Sequence, residues 1–139
     1  MGMKYIKMYE DFDFESLKSL KRGDVISVEE YRYVSPALYV VLESTIDNVT
    51  IFYIGHTNKK WQKPLTTLCY NSREHQKKII TSKSRWKAYN KLSIEEMNRL
   101  FDAIYHSPVY VRKIKERSGF DLETIEGYND FNIQNKYNL

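Results

Sequence analysis

Two apolar, β-branched runs constrain this chain more than anything else in it: LYVVLE at residues 38–43 and VTIFYI at residues 49–54. Each has the length and composition of a buried strand. Asp47-Asn48 between them supplies turn chemistry, so the pair reads as an antiparallel hairpin. Ser35-Pro36 breaks the chain ahead of it and Gly55 closes it. Residues 24–33, DVISVEEYRY, have strand composition without a clean apolar-polar alternation. Residues 64–70 and 76–81 are expected to add strands. Four or five short strands with tight turns form a small barrel or a strongly bent sheet.

The period then changes. Ser93-Ile94-Glu95-Glu96 has the spacing of a capping box, in which Ser93 accepts from the Glu96 N–H and the Glu96 side chain returns the bond. Ile94, Met97, Leu100, Phe101 and Ile104 follow as one apolar stripe, which predicts a helix over 94–106. Ser107-Pro108 starts a second helix over 109–118, ended by Gly119. Near the other end, Phe14, Leu17 and Leu20 share a face with Lys21. Asp13 as cap and Gly23 as terminator complete an expected helix at 13–22. The expected fold is α+β, a single domain over 1–139. It has an N-terminal helix, a small barrel or bent antiparallel sheet at 24–82, and a helical hairpin at 93–119. Residues 120–139 are expected as a frayed, Asn-rich tail with at most a short turn around Leu122, Ile125, Tyr128 and Phe131.

A chain of 139 residues can bury an ordinary core without staples. Its single cysteine, Cys69, forms no internal disulfide. No apolar run approaches the ~20 residues a membrane span needs. The opening MGMKYIKMYEDFDF has acids where a signal peptide has its apolar region, and Ile6 stands where N-myristoylation needs Ser or Thr. The cytoplasm is the expected location.

The charge is segregated. Residues 56–91 hold ten basic residues and one acid, Glu74, for a net +9, while the rest of the chain carries −5 within an overall +4. Such a block is expected to create a strong local positive potential. It is interleaved with aromatic residues, including Tyr70 and Tyr89. Lys59, Lys60, Lys63, Arg73, Lys77, Lys78, Arg85 and Lys87 supply the cations. Trp61 and Trp86, each flanked by polar or charged neighbours, supply flat rings. Cations replace counterions along phosphates, and exposed rings stack on unpaired bases. These ten residues are the candidate binding site. The plainer alternative is a solvated face balanced by acidic ends.

Other chemistry has weaker support. His56, His75 and His106 match no zinc spacing, and a Cys69–His75 pair lacks an orienting third group. There is no Gly-rich phosphate loop. Glu29-Glu30 and Glu95-Glu96 are adjacent in sequence, so their side chains diverge. No catalytic residue, metal or cofactor is assigned. The 94–106 and 109–118 pair also reads as a plain helical hairpin better than as a DNA-reading helix-turn-helix.

Residues 20–26, LKRGDVI, followed by the two apolar strands, resemble the opening of SH3-like barrels, in which Leu-x-x-Gly-Asp-Val enters the first strand. Residues 4–12, KYIKMYEDF, resemble the start of small accessory proteins of T4-like tailed phages. The first resemblance implies a barrel over about residues 20–82 that binds nucleic acid, peptides or proteins. The second implies a factor acting in the host cytoplasm or in the virion. The function expected from the residues is non-catalytic nucleic-acid binding through the basic, aromatic face. The alternatives are a module for an acidic host or virion protein and, more weakly, a Cys/His-dependent enzyme.

Overall fold

A computed structural model describes residues 14–28, 37–56, 77–82 and 89–137 of the chain. At its centre are three antiparallel strands: β1 (Val25–Val28), β2 (Ala37–Ser44) and β3 (Val49–His56). The β2–β3 turn is tied by Thr45, whose N–H donates to the Asn48 carbonyl at 2.8 Å and whose Oγ1 accepts from the Asn48 N–H at 3.1 Å. β4 (Lys77–Ile80) pairs with β3, and β5 (Tyr89–Lys91) returns to pair with β1. The five-stranded sheet has the order β4-β3-β2-β1-β5 and is antiparallel throughout. The expected strand at 64–70 and the end of the 24–33 segment lie outside the described residues. β5 extends the sheet beyond the residue-82 boundary expected from sequence. Three residues carry too short a pattern to announce a strand; pairing with β1 makes them one.

Apolar residues fill both faces of the central strands, which is why LYVVLE shows no alternation. One face, with Val25, Leu38, Val40, Leu42, Phe52 and Ile54, packs against the C-terminal helices. The other, with Ile26, Val28, Tyr39, Val41, Ile51, Tyr53 and Ile80, packs with Leu17 and Leu20. Two register shifts interrupt the β2–β3 ladder, one between Leu38 and Tyr39 and one between Val41 and Glu43. Ile54 and Leu42 are the extra residues. Bulges of this kind bend and twist a sheet.

α1 (Phe14–Lys18) is shorter than the expected 13–22 helix, whose Asp13 cap lies outside the described residues. The Ser16 carbonyl accepts from both the N–H and the hydroxyl of Ser19, at 3.3 and 2.6 Å, and Leu20 N–H donates to Leu17. These i→i−3 bonds close the helix early. Gly23 therefore belongs to the turn entering β1. Its φ of +95° suits glycine, and its N–H donates to the Val41 carbonyl at 2.9 Å. Lys21 N–H donates to Asp24 Oδ2 across the same turn at 2.9 Å.

α2 (Ile94–Tyr105) begins with the capping box expected from sequence: both reciprocal Ser93–Glu96 bonds are 3.1 Å. Leu100, Phe101 and Ile104 are buried, with Met97 packed beside them. Ile94 departs from the expected stripe, being 84% exposed. Helical side chains tilt toward the N-terminus, so a first-turn residue projects past the helix end. α3 (Pro108–Ser118) buries Tyr110, Val111 and Ile114 and ends at Gly119 in the left-handed conformation, φ 76°. Residues 120–137 form more than a tail. A 3-10 turn (Leu122–Thr124) leads to α4 (Tyr128–Tyr137). Phe120, Leu122, Ile125 and Tyr128 are all buried in the helical core. Tyr128 and Phe131 flank Phe101 at ring separations of 5.6 and 5.8 Å. No helix among the described residues is long and apolar enough to cross a membrane.

Two side chains tie the helical layer to the sheet. The Tyr110 hydroxyl donates to the carbonyl of Ile54, the bulge residue of β3. Arg22 Nη1 donates to the Leu42 carbonyl at 2.9 Å and Nη2 to the Gly119 carbonyl at 3.3 Å, while the guanidinium lies 5.1 Å from the centre of the Phe120 ring.

Candidate functional site

Of the ten candidate binding residues, Lys77 and Lys78 are described, both on β4 at one edge of the sheet. Lys59, Lys60, Trp61, Lys63, Arg73, Arg85, Trp86 and Lys87 lie outside the described residues. Consecutive residues of a strand point to opposite faces, so the two lysines part company. Lys78 shares a face with Ile80, and its Nζ lies 5.3 Å from the centre of the Tyr39 ring. Tyr39 is itself buried and packs edge-on against Tyr53 at 5.6 Å. Lys77 is exposed on the other face, beside the exposed Ile79. The candidate site as read from sequence puts both lysines on one surface. The pleat gives Lys78 an aromatic platform and leaves Lys77 with the more open ammonium group.

Of the residues weighed for other chemistry, His106, Glu95 and Glu96 sit in ordinary settings. Exposed His106 approaches Asp102 one turn earlier on α2, Nδ1 to Oδ1 at 3.4 Å. Glu95 pairs with Arg99 at 3.0 Å and Glu96 serves the cap. Cys69 and His75 lie outside the described residues. Among the described residues no three His, Cys, Asp or Glu side chains come together as a metal would require.

A cleft absent from the sequence reading opens at the other edge of the sheet. Its volume is about 450 Å³, and it lies where the chain leaves β5 for α2. Four separate segments build it: the turn at Lys21–Val25, the end of β5 with Leu92, Met97 of α2, and Phe120 with Thr124–Glu126. Val25, Phe120 and Ile125 are buried, and Leu92 and Met97 half-buried. Lys21, Arg22 and Lys91 are exposed cations along it, and Asp24 and Glu126 are its two carboxylates. Asp24 is turned into its own loop by the bond from Lys21 N–H. The local signal for this place lay in the Leu-x-x-Gly-Asp-Val segment, which sets Arg22 against the helices. The rest comes together only through long-range packing.

Comparison with known proteins finds no match: no protein family, no curated protein and no solved structure is similar to this chain.

Proposed function

We propose that this chain is a non-catalytic binding protein that holds nucleic acid through the cations and indoles of its central third. The observation carrying this reading is the charge segregation, +9 over residues 56–91 against −5 elsewhere. Placement of Lys77 in the open on the edge strand β4 supports it. We read the sheet as an SH3-like barrel. Supporting that are the Leu20–Val25 entry into β1, the return of β5 to β1 and the two bulges that bend β2 and β3. Together with the KYIKMYEDF opening, this favours an accessory factor of a T4-like tailed phage, working in the host cytoplasm.

The test is a salt titration of binding to single- and double-stranded oligonucleotides. Phosphate contacts release counterions, so the log–log slope should steepen by about 0.9 per contact on duplex and about 0.7 on single strands, reaching several units in total. Lys77→Glu should flatten the slope and weaken binding more than Lys78→Glu, because Lys78 is already engaged with Tyr39. Absence of binding to either form at low salt sinks the nucleic-acid reading. The basic face would then belong to an acidic protein, and capture from host lysate that survives nuclease treatment would identify it.

A further inference from the structure

The cleft at the seam of sheet and helices is separated by the width of the sheet from β4, which carries Lys77 and Lys78; of the basic block at 56–91, Lys91 reaches it. At about 450 Å³ it is within the range that encloses small ligands, roughly 300–1,000 Å³. Its floor is apolar: Val25, Leu92, Met97, Phe120 and Ile125. Three cations, Lys21, Arg22 and Lys91, stand along it, and none of them forms an ion pair among the described residues. Arg22 is already oriented by two backbone carbonyls and by the Phe120 ring. A side chain fixed before binding loses little rotamer freedom when it meets a ligand, and a guanidinium retains further N–H donors after two are used. Of the two carboxylates, Asp24 already accepts a hydrogen bond within its own turn. Glu126 therefore opposes an anion more directly than Asp24 does.

We propose that this cleft is a binding site for a small amphiphilic anion: a compact apolar or aromatic body on the floor, with one carboxylate or phosphate held by Lys21, Arg22 and Lys91. The apolar body explains why an open cavity has an apolar floor, and the anionic head explains why its cations form no ion pair among the described residues.

The test uses the full chain and four probes: 1-naphthyl phosphate, 1-naphthoate, neutral 1-naphthol and inorganic phosphate. Binding is followed by the backbone amide shifts of Gly23, Leu92 and Thr124. Both naphthyl anions should give saturable shifts there, and the difference between them reports which head group is preferred. Naphthol, lacking the charge-assisted hydrogen bonds, should bind about tenfold more weakly, and inorganic phosphate, lacking the apolar body, should bind more weakly than either naphthyl anion. Lys21→Gln and Lys91→Gln, both at exposed positions, should each weaken the anions about two- to fivefold, while Glu126→Gln tightens them. Lys136→Gln, exposed on α4 and outside the cleft, should change nothing. Naphthol binding as tightly as the anions, shifts confined to other amides, or unaltered affinity in both lysine variants would each overturn the proposal. None of these results bears on the oligonucleotide titration, whose variants lie on β4.

Discussion

Two serines begin the two long C-terminal helices, and they do different things. Ser93 Oγ accepts from the Glu96 N–H, and the Ser93 N–H donates to Glu96 Oε1, completing a full capping box. Ser107 is 4% exposed, its Oγ has no hydrogen-bond partner among the described residues, and it makes no side-chain cap. Ser93→Ala should therefore cost about 1 kcal/mol. Ser107→Ala removes a desolvated hydroxyl that returns no bond, so it should be neutral or stabilising. Urea unfolding of the two variants checks the contrast, and equal losses would contradict it. Tyr128 makes a second prediction at this scale. Burial, then the charges of Glu123, Tyr105 and Asp121, raise its phenol above the ordinary 10.0. The folded state thus prefers the protonated phenol. The associated stability is complete below the unfolded value and is lost as pH climbs through the higher folded one. Alkaline titration of the urea midpoint should show a fall above pH 10 that is smaller in Tyr128→Phe.

Between elements, the contact most open to a single substitution is the one from α3 to the β3 bulge. Tyr110 is buried, and its hydroxyl meets the Ile54 carbonyl where the ladder slips register. Tyr110→Phe keeps the ring in place and removes the donor. It should cost about 1–3 kcal/mol, since a buried carbonyl loses a partner; a loss under half a kilocalorie in chemical denaturation would show that the bulge does not depend on it. The neighbouring elements show what sequence can and cannot announce. α2 was legible because its cap is a four-residue code, and β2 and β3 because strands buried on both faces read as unbroken apolar runs. β5 was not, because three residues hold no periodicity and its identity comes from β1. α4 was not, because Asn129, Asp130, Asn132 and Asn135 weaken the helical signal while Tyr128 and Phe131 anchor it against Phe101. The candidate sites were hidden for related reasons. Lys77 and Lys78 are neighbours in sequence but strangers across the pleat, and the cleft joins segments as far apart as Lys21 and Glu126, which no local pattern connects.

At the scale of the molecule, the sheet is a shared wall between two apolar clusters with no buried side chain in common. The helices α2 to α4 touch only one of them. If the clusters were independent, damage on the far face would leave the helices standing. The strands argue otherwise, because each of β1, β2 and β3 contributes alternate residues to both sides. Displacing a strand on one face moves its side chains on the other. Leu38→Ala opens a cavity on the helical side and Ile51→Ala one on the opposite side; both positions are fully buried. Each should cost about 2–5 kcal/mol, a large part of the roughly 5–15 kcal/mol that holds a domain of this size. Both should lower the same transition: the helical circular-dichroism signal and the near-ultraviolet signal of the tyrosines, Tyr39 and Tyr53 among them, should melt together in either variant. If Ile51→Ala shifted the tyrosine signal while the helical signal kept its original midpoint, the far cluster would be a separate folding unit. Arg22 and Tyr110, whose partners Leu42, Phe120 and Ile54 all belong to the helical cluster, would then brace the near unit alone.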